Sequence, residues 1–299
     1  MKRFNGIALS VAFCSLASQA ALAQTKIDTL KVQNLNEVIV KGVRATKEAP
    51  YAVANIRKSE LKQFSCSGQE LPFLLSRTPG ILAWSENGIG TGTTYMRIRG
   101  AAGSRINVTL DGVALNSPED QTVFWANMNS YSSLLGSIQV QRGVGSSTNG
   151  DGAFGGSISM ATAAPSLTPT AEVTGSFGSY NTYHTGASFS TGLLGKHLIF
   201  DGAYHETATD GYVDGTAGRS GSYYGGLTWL GDNFKISYKN IGNFEKTGQA
   251  WSGVLGGDYN SNFSLLQDGI RTYKDMYKAG LDKFNVLTGD LVRNGKGDY

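Results

Sequence analysis

From Thr170 onward the chain alternates between apolar and polar positions. Val173, Gly175 and Phe177 share one side of an extended segment, with Glu172, Thr174 and Ser176 on the other. Tyr183, Ala187 and Phe189 oppose His184, Ser188 and Ser190, and Leu198, Phe200 and Tyr204 oppose His197, Asp201 and His205. Tyr223, Leu227 and Trp229 stand apart from Tyr224 and Thr228, while Phe234, Ile236 and Tyr238 alternate with Lys235, Ser237 and Lys239. A period of two predicts five β-strands, each with one apolar and one polar face. Such strands suit a soluble sandwich, where the apolar face meets a second sheet, or a transmembrane barrel, where it meets lipid. The connections separate the two. Gly192 to Gly195 and Gly231 to Asn233 are tight, whereas Thr207 to Gly221 and the stretch after Phe244 are long, with one short exception near Ser179 to Asn181. Tight turns alternating with long loops predict a barrel.

Upstream, Pro50 to about Pro165 reads as one compact mixed domain. Ser59 to Phe64 and Gln69 to Leu75 predict two short helices, the first capped by Ser59, with Thr78-Pro79-Gly80 stopping the second. Strands follow at Met96 to Arg99 and Ile106 to Leu110, and Asp111-Gly112 predicts a hairpin turn into Val113 to Leu115. Asp111 is therefore read as a turn former rather than a catalytic acid. Gly150, Gly152 and Gly155 have the G-x-G-x-x-G spacing of a dinucleotide site. That site needs a strand before it and a helix after it. Ser137 to Gln141 alternates like a strand, but Ser157 to Met160 alternates again, so the glycines predict a loop between strands. Residues 24 to 50 are polar except for the island Leu35-Asn36-Glu37-Val38-Ile39-Val40. It is either the first strand of the domain or an extended segment that adds to a partner's sheet edge. The fold class is thus an α+β domain followed by antiparallel transmembrane β-strands that form an incomplete barrel.

Composition sharpens this picture. Lys2 and Arg3, the mostly apolar run Ile7 to Ala17 and the small residues Ala21-Leu22-Ala23 form a secretory signal peptide, and the mature chain starts near Gln24. Cys14 leaves with the peptide, so Cys66 allows neither an intrachain disulfide nor a cysteine-based metal cage. Charged residues are only 16% and the net charge is +3, which leaves no nucleic-acid footprint. Forty glycines against six prolines suit many tight turns between strands. With three histidines, no Ser/His/Asp arrangement and no H-E-x-x-H, the sequence reads as neither an enzyme nor a holder of cofactor or metal.

Pro79-Gly80-Ile81, Arg97-Ile98-Arg99-Gly100, Leu110 to Asn116 and the stretch QRGVGSSTNGDGAFGGSISM resemble, in order and spacing, the plug domain of TonB-dependent outer-membrane receptors. Lys246 to Trp251 is similar to an external-loop pattern of Bacteroidetes-type members. The resemblance implies a signal peptide at 1–23, an N-terminal extension at 24–49, a plug at 50–165 and barrel strands at 166–299. In that family the plug fills a barrel of about 22 strands. Residues 166–299 supply about five, so the chain reads as the N-terminal part of a receptor. The resemblance also makes Leu35 to Val40 the TonB box, the segment pulled by TonB and its inner-membrane energising complex. Outer-membrane lipid and a small nutrient of the iron-siderophore, haem or cobalamin class complete the implied partners. The competing reading is a non-transporting barrel protein or surface adhesin. Arg99 and Arg142 match plug arginines that pair with glutamates of later barrel strands. This chain should therefore keep both in water, and its plug should dock poorly. A hairpin about Gly192 to Gly195 puts His184 opposite Ala203 and diagonal to His205 on the polar face. The two imidazoles then either contact a bound metal chelate or haem, or stand as two solvated lumen residues.

Overall fold

The computed structural model describes residues 44–45, 52–144, 153–254 and 270–287, all within one compact unit. An inner domain comes first. It contains β1 (Ala52–Arg57), α1 (Lys58–Ser65), α2 (Leu71–Leu75), β2 (Ile81–Ser85), β3 (Thr94–Ile98), β4 (Ile106–Leu110), β5 (Val113–Ala114), β6 (Leu135–Arg142) and β7 (Gly156–Thr162). Five of its strands form a sheet in the order β1-β6-β7-β4-β5, and β2 and β3 form a separate hairpin. Only the β4–β7 pairing is parallel. Leu61 and Phe64 of α1 and Leu71 and Leu75 of α2 recur at helical spacing and are buried with Ile138, Val140, Ile158 and Met160 of the central strands. The alternate residues of those strands are polar and take the opposite face. There Arg44 donates from Nη1 to Ser137 Oγ (2.9 Å) and from Nε to Ser159 Oγ (3.2 Å), and the Ala45 N–H donates to Gln139 Oε1 (2.7 Å).

Ser59 is not the cap of α1. The helix starts one residue earlier, and the N-cap is Arg57, whose N–H donates to Glu60 Oε2 at 2.9 Å. The glutamate three residues into the helix reaches back to the N-cap's own N–H, so the start of the helix is fixed from its third position rather than by a serine hydroxyl. The hairpin turn is as expected: Asp111 (φ 50°) and Gly112 (φ 86°) both adopt positive φ, and Leu110 pairs with Val113. At the glycine-rich stretch, β6 pairs antiparallel with β7 and no helix follows. The stretch is therefore followed by a strand and not by the helix that a phosphate site needs; Gly150 and Gly152 lie outside the described residues. Gly155 and Gly156 are needed for close approach. A Cβ on Gly155 would lie 2.5 Å from Ala101 Cβ, and one on Gly156 (φ 154°) would lie 2.4 Å from the Gln141 carbonyl oxygen.

The second part is an open antiparallel meander, here called the wall: β8 (Thr170–Phe177), β9 (Tyr183–Ser190), β10 (Leu198–Thr209), β11 (Gly218–Leu230) and β12 (Lys235–Thr247). All five expected segments are strands. Their apolar face is the exposed one, including Val173 (84% exposed), Phe177 (90%), Phe200, Tyr223, Trp229 and Tyr238. The polar face is buried, including His184, Ser190, Thr207, Ser220, Ser222 and Thr228. Beyond the wall, α3 (Tyr273–Lys278), capped by Thr272, packs Met276 against Val254, Ile270, Leu281 and Phe284.

Two expectations about the wall change. The β10–β11 connection is only 210–217, because both strands run further than their apolar residues show. The β9–β10 hairpin turns at Gly195 (φ 55°) and Lys196 (φ 74°), two residues beyond the centre of the expected turn. Ser190 therefore pairs with Asp201, which sets His184 opposite Thr207, not Ala203, and His205 opposite Gly186.

Gly156→Ala should lower the stability of the inner domain by about 1–3 kcal/mol, since a Cβ meets fixed backbone there. Gly225→Ala, where a Cβ meets nothing within 4 Å, should stay within about 0.5 kcal/mol. Denaturant unfolding in detergent measures both.

Candidate functional site

The inner domain seats on the polar face of the wall, and the chemistry of the chain collects along that joint. At the end carrying the 191–197 and 231–234 turns, Lys239 Nζ reaches Asp111 Oδ2 (2.8 Å) and also Thr162 Oγ1. The Thr162 N–H donates to Asp111 Oδ1 (2.9 Å). Partial burial of the Asp111 carboxyl opposes its charge, but the Lys239 and Thr162 hydrogen bonds outweigh that and hold it below the usual range. The turn former thus has a second role as a docking group. Lys62 of α1 meets Glu172 of β8 at 2.8 Å, with both side chains largely exposed.

Further along the joint, His184 and His205 are 2% and 5% exposed. Their rings stack with centroids 5.7 Å apart and planes 11° from parallel. His184 Nδ1 shares a hydrogen bond with Thr207 Oγ1 (2.9 Å). Gly186 makes the stacking possible, because a Cβ there would lie 2.1 Å from His205 Nδ1. Gly68 of the inner domain covers the pair; its own Cβ would lie 3.3 Å from Thr207 and 3.5 Å from His184. The rings are therefore together, but beneath the inner domain rather than in open water. Among the described residues no group of three metal-ligating side chains forms around them.

Sequence reasoning missed a buried acid between α2 and β12. Glu70 is 1% exposed, and its Oε2 accepts the Ser130 N–H at 3.1 Å. Glu245 of β12 stands nearby, taking Asn129 Nδ2 at 3.3 Å on its Oε2. Burial, with a smaller push from the Glu245 charge, raises the Glu70 carboxyl to about 8, against partial compensation from the Ser130 and Gly92 N–H groups. Its position just before an apolar helical run gave no sign of this. At the far end of the joint, the loop between β2 and β3 ties to the wall. The Tyr212 N–H donates to the Asn87 carbonyl (2.9 Å) and the Ala250 N–H to Glu86 Oε2 (2.9 Å). On the open side of that hairpin Trp84 stacks on Tyr95 at 5.4 Å and Arg97 lies over Trp84 at 5.9 Å.

Arg99 and Arg142 are brought together at the ends of β3 and β6. Arg142 Nη1 donates to the Pro79 carbonyl at 2.7 Å, and the Arg99 guanidinium lies over Gly143, where a Cβ would be 3.0 Å from Nη1. Arg99 is exposed and Arg142 half-buried. Neither takes part in the ion pairs found among the described residues. The inner domain nevertheless docks without them, through Lys62, Asp111, Asn129 and Asn87. The expected partner-coupling segment, Leu35 to Val40, lies outside the described residues.

The Glu70 carboxyl stands at about 8 where it is buried against an ordinary 4.5, so between those values the closed form holds a proton that a form exposing Glu70 has released. Exposure of Glu70 should become easier as pH rises through that window, by up to about tenfold per pH unit, and level off above it. Hydrogen exchange at the Ser130 and Gly92 amides, corrected for the intrinsic rate, should show this slope. Glu70→Gln should abolish it.

A family model described as the TonB-dependent Receptor Plug Domain matches residues 45–157. No curated protein matches the chain in sequence. Among solved structures, the chain is similar to the ferripyoverdine receptor of the Pseudomonas aeruginosa outer membrane bound to ferripyoverdine. There the identity is 16% and the TM-score 0.56, over 73% of this chain and 29% of that one. The ferric yersiniabactin uptake receptor FyuA from Yersinia pestis gives 16%, 0.53, 69% and 34%. The siderophore receptor PirA from Acinetobacter baumannii gives 19%, 0.50, 66% and 32%. At these identities the likeness shows the fold, and the chain spans about a third of the length of these receptors. The chain therefore carries the plug domain of the TonB-dependent receptors over residues 45–157, followed by strands in the arrangement of those receptors' barrels.

Proposed function

We propose that the chain belongs to a receptor that takes up a scarce nutrient across the outer membrane, energised through TonB. The observation that carries this reading is a plug domain seated on the polar face of strands whose other face is apolar and exposed. Export by the peptide at 1–23 brings it there. Leu35 to Val40 is the segment that TonB grips by strand addition, in which main-chain bonds supply the affinity. Arg44 and Ala45 follow it closely and are bonded to Ser137, Ser159 and Gln139. A pull on the segment reaches β6 and β7 through these bonds before it loads the edge strand β1.

The nutrient belongs to the iron-siderophore, haem or cobalamin class. Trp84, Tyr95 and Arg97 offer a flat aromatic surface with a cation on it, which suits a planar or anionic chelate. His184 and His205 contact the ligand only after the Gly68 segment moves off them. Arg99 and Arg142 are anchored, in the complete receptor, by glutamates of later strands, which give bidentate partners to two guanidinium groups that stay charged.

Uptake assays in cells test the coupling. Val38→Pro should reduce uptake more than Val38→Ala, because proline removes a main-chain donor and alanine keeps it. Equal effects of the two would contradict strand addition. Arg99→Ala combined with Arg142→Ala in the complete receptor should lower the unfolding temperature of the plug; unchanged stability and uptake would make these arginines ordinary surface charges.

A further inference from the structure

The outer face of the wall holds acidic or basic side chains at one end only. Strand register places Tyr183, Ala208, Arg219 and Lys246 side by side in one outward row, and Thr185, Glu206, Gly221 and Phe244 in the next. From Tyr204 and Tyr223 down to Trp229 and Ile236, every outward position of β8 to β12 is apolar, aromatic, glycine or Asn240. The charged row lies at the end with the longest connection between wall strands, 210–217, and the chain beyond Thr247, together with the short 178–182 turn. In outer-membrane barrels that end faces outward.

The charges there do not cancel. Glu206, with only 9% of its side chain exposed, takes one edge of the Arg219 guanidinium, with Nε at 2.7 Å and Nη2 at 2.6 Å. It also accepts the Tyr204 hydroxyl at 2.7 Å and the Tyr183 hydroxyl at 3.2 Å. Its position is therefore fixed, and it neutralises one cation. Arg219 still exposes 60% of its side chain, and Lys246, also exposed, stands directly opposite it. Like charges directly opposite on one sheet face repel. An anion between the two removes that repulsion, and the remaining guanidinium donors with the ammonium form a two-pronged phosphate clamp.

We propose that Arg219 and Lys246 bind the phosphate of an outer-leaflet lipid headgroup, with Glu206 as the positioning residue that holds the guanidinium in place. The proposal rests on the reading of the wall as membrane-embedded. Its occupant follows from that continuity: an uncharged, largely aromatic face of four outward rows leads into a cationic row next to the Tyr183 ring, where a lipid's headgroup would stand above its chains. A lipid places its phosphate there; a soluble anion has no use for the face below.

The test is native mass spectrometry of the 299-residue chain in detergent micelles doped with either diphosphorylated lipid A or phosphatidylcholine. Lipid A should be retained over phosphatidylcholine, and Lys246→Gln should cut its retention about fivefold, the worth of one cation near a charged surface. Lys196→Gln, at the opposite end of the wall, should leave retention unchanged and controls for general charge. Equal retention by Lys246→Gln and the unaltered chain overturns the site, as does equal loss in Lys196→Gln. Displacement of lipid A by millimolar inorganic phosphate overturns the lipid assignment. Retention of both lipids without preference overturns the site while sparing the membrane reading, and retention of neither overturns both.

Discussion

A sheet that buries its polar face must find hydrogen-bond partners across that face, because each buried group left unmade costs about 1–3 kcal/mol. The wall is such a sheet: His184, His205, Glu245 and most of its hydroxyls point at the inner domain, and its aromatic residues other than Tyr224 point away. The inner domain answers with polar groups of its own, so the joint is mostly polar, with Ala203, Tyr224 and Ile241 as its apolar contacts. Asp111, Asn87, Asn129 and Ala126 each bond to the wall. Apolar packing is concentrated in the interior of the inner domain, where Leu61, Phe64, Ile138 and Ile158 meet, with Ala203, Tyr224 and Ile241 of the wall packed against its edge. This division explains why one chain can contain an ordinary core and an outer face that no soluble protein would leave bare.

A polar joint can hold two parts together and still release them. The exposed Lys62–Glu172 pair is screened by water and contributes little, and the Lys239–Asp111 pair is only about 70% withdrawn from solvent. Much of the fit comes from glycines, Gly68 against Thr207 and Gly92 against Glu245, where the backbone approaches without side chains between. Such contacts cost little to separate, since water satisfies the exposed groups on both sides. A joint of this kind separates more readily than one made of apolar surface alone.

How much was legible in the sequence depended on which residues carried the signal. Tyr204, Trp229 and Tyr238 marked the strands because aromatic residues on alternate positions have no other common explanation. The ends of β10 and β11 were missed because Thr207 to Thr209 and Gly218 to Ser222 hold no large apolar residue to reveal a period. The register of the β9–β10 hairpin went wrong because Leu194-Gly195-Lys196 needs positive φ at a lysine, which sequence alone does not announce. The two histidines were nonetheless placed on the right face, since face depends on parity and a register error of an even number of residues preserves it. Glu70 was illegible for a different reason. Its burial depends on Ser130 and Glu245, both distant in sequence. The plug glycines were readable in kind, as tight approaches, but the atoms they approach were not.

The account stands on the claim that the aromatic face of the wall lies against lipid while the polar face lies against the plug. Fluorescence quenching by lipids brominated on their acyl chains, using single tryptophans placed on either face of the wall, tests it directly. With the native tryptophans replaced by phenylalanine, Tyr204→Trp and Tyr238→Trp should be strongly quenched, and tryptophan at Ser188 or Ser237 on the polar face should not. Equal quenching on both faces, or none on the aromatic face, would contradict the account.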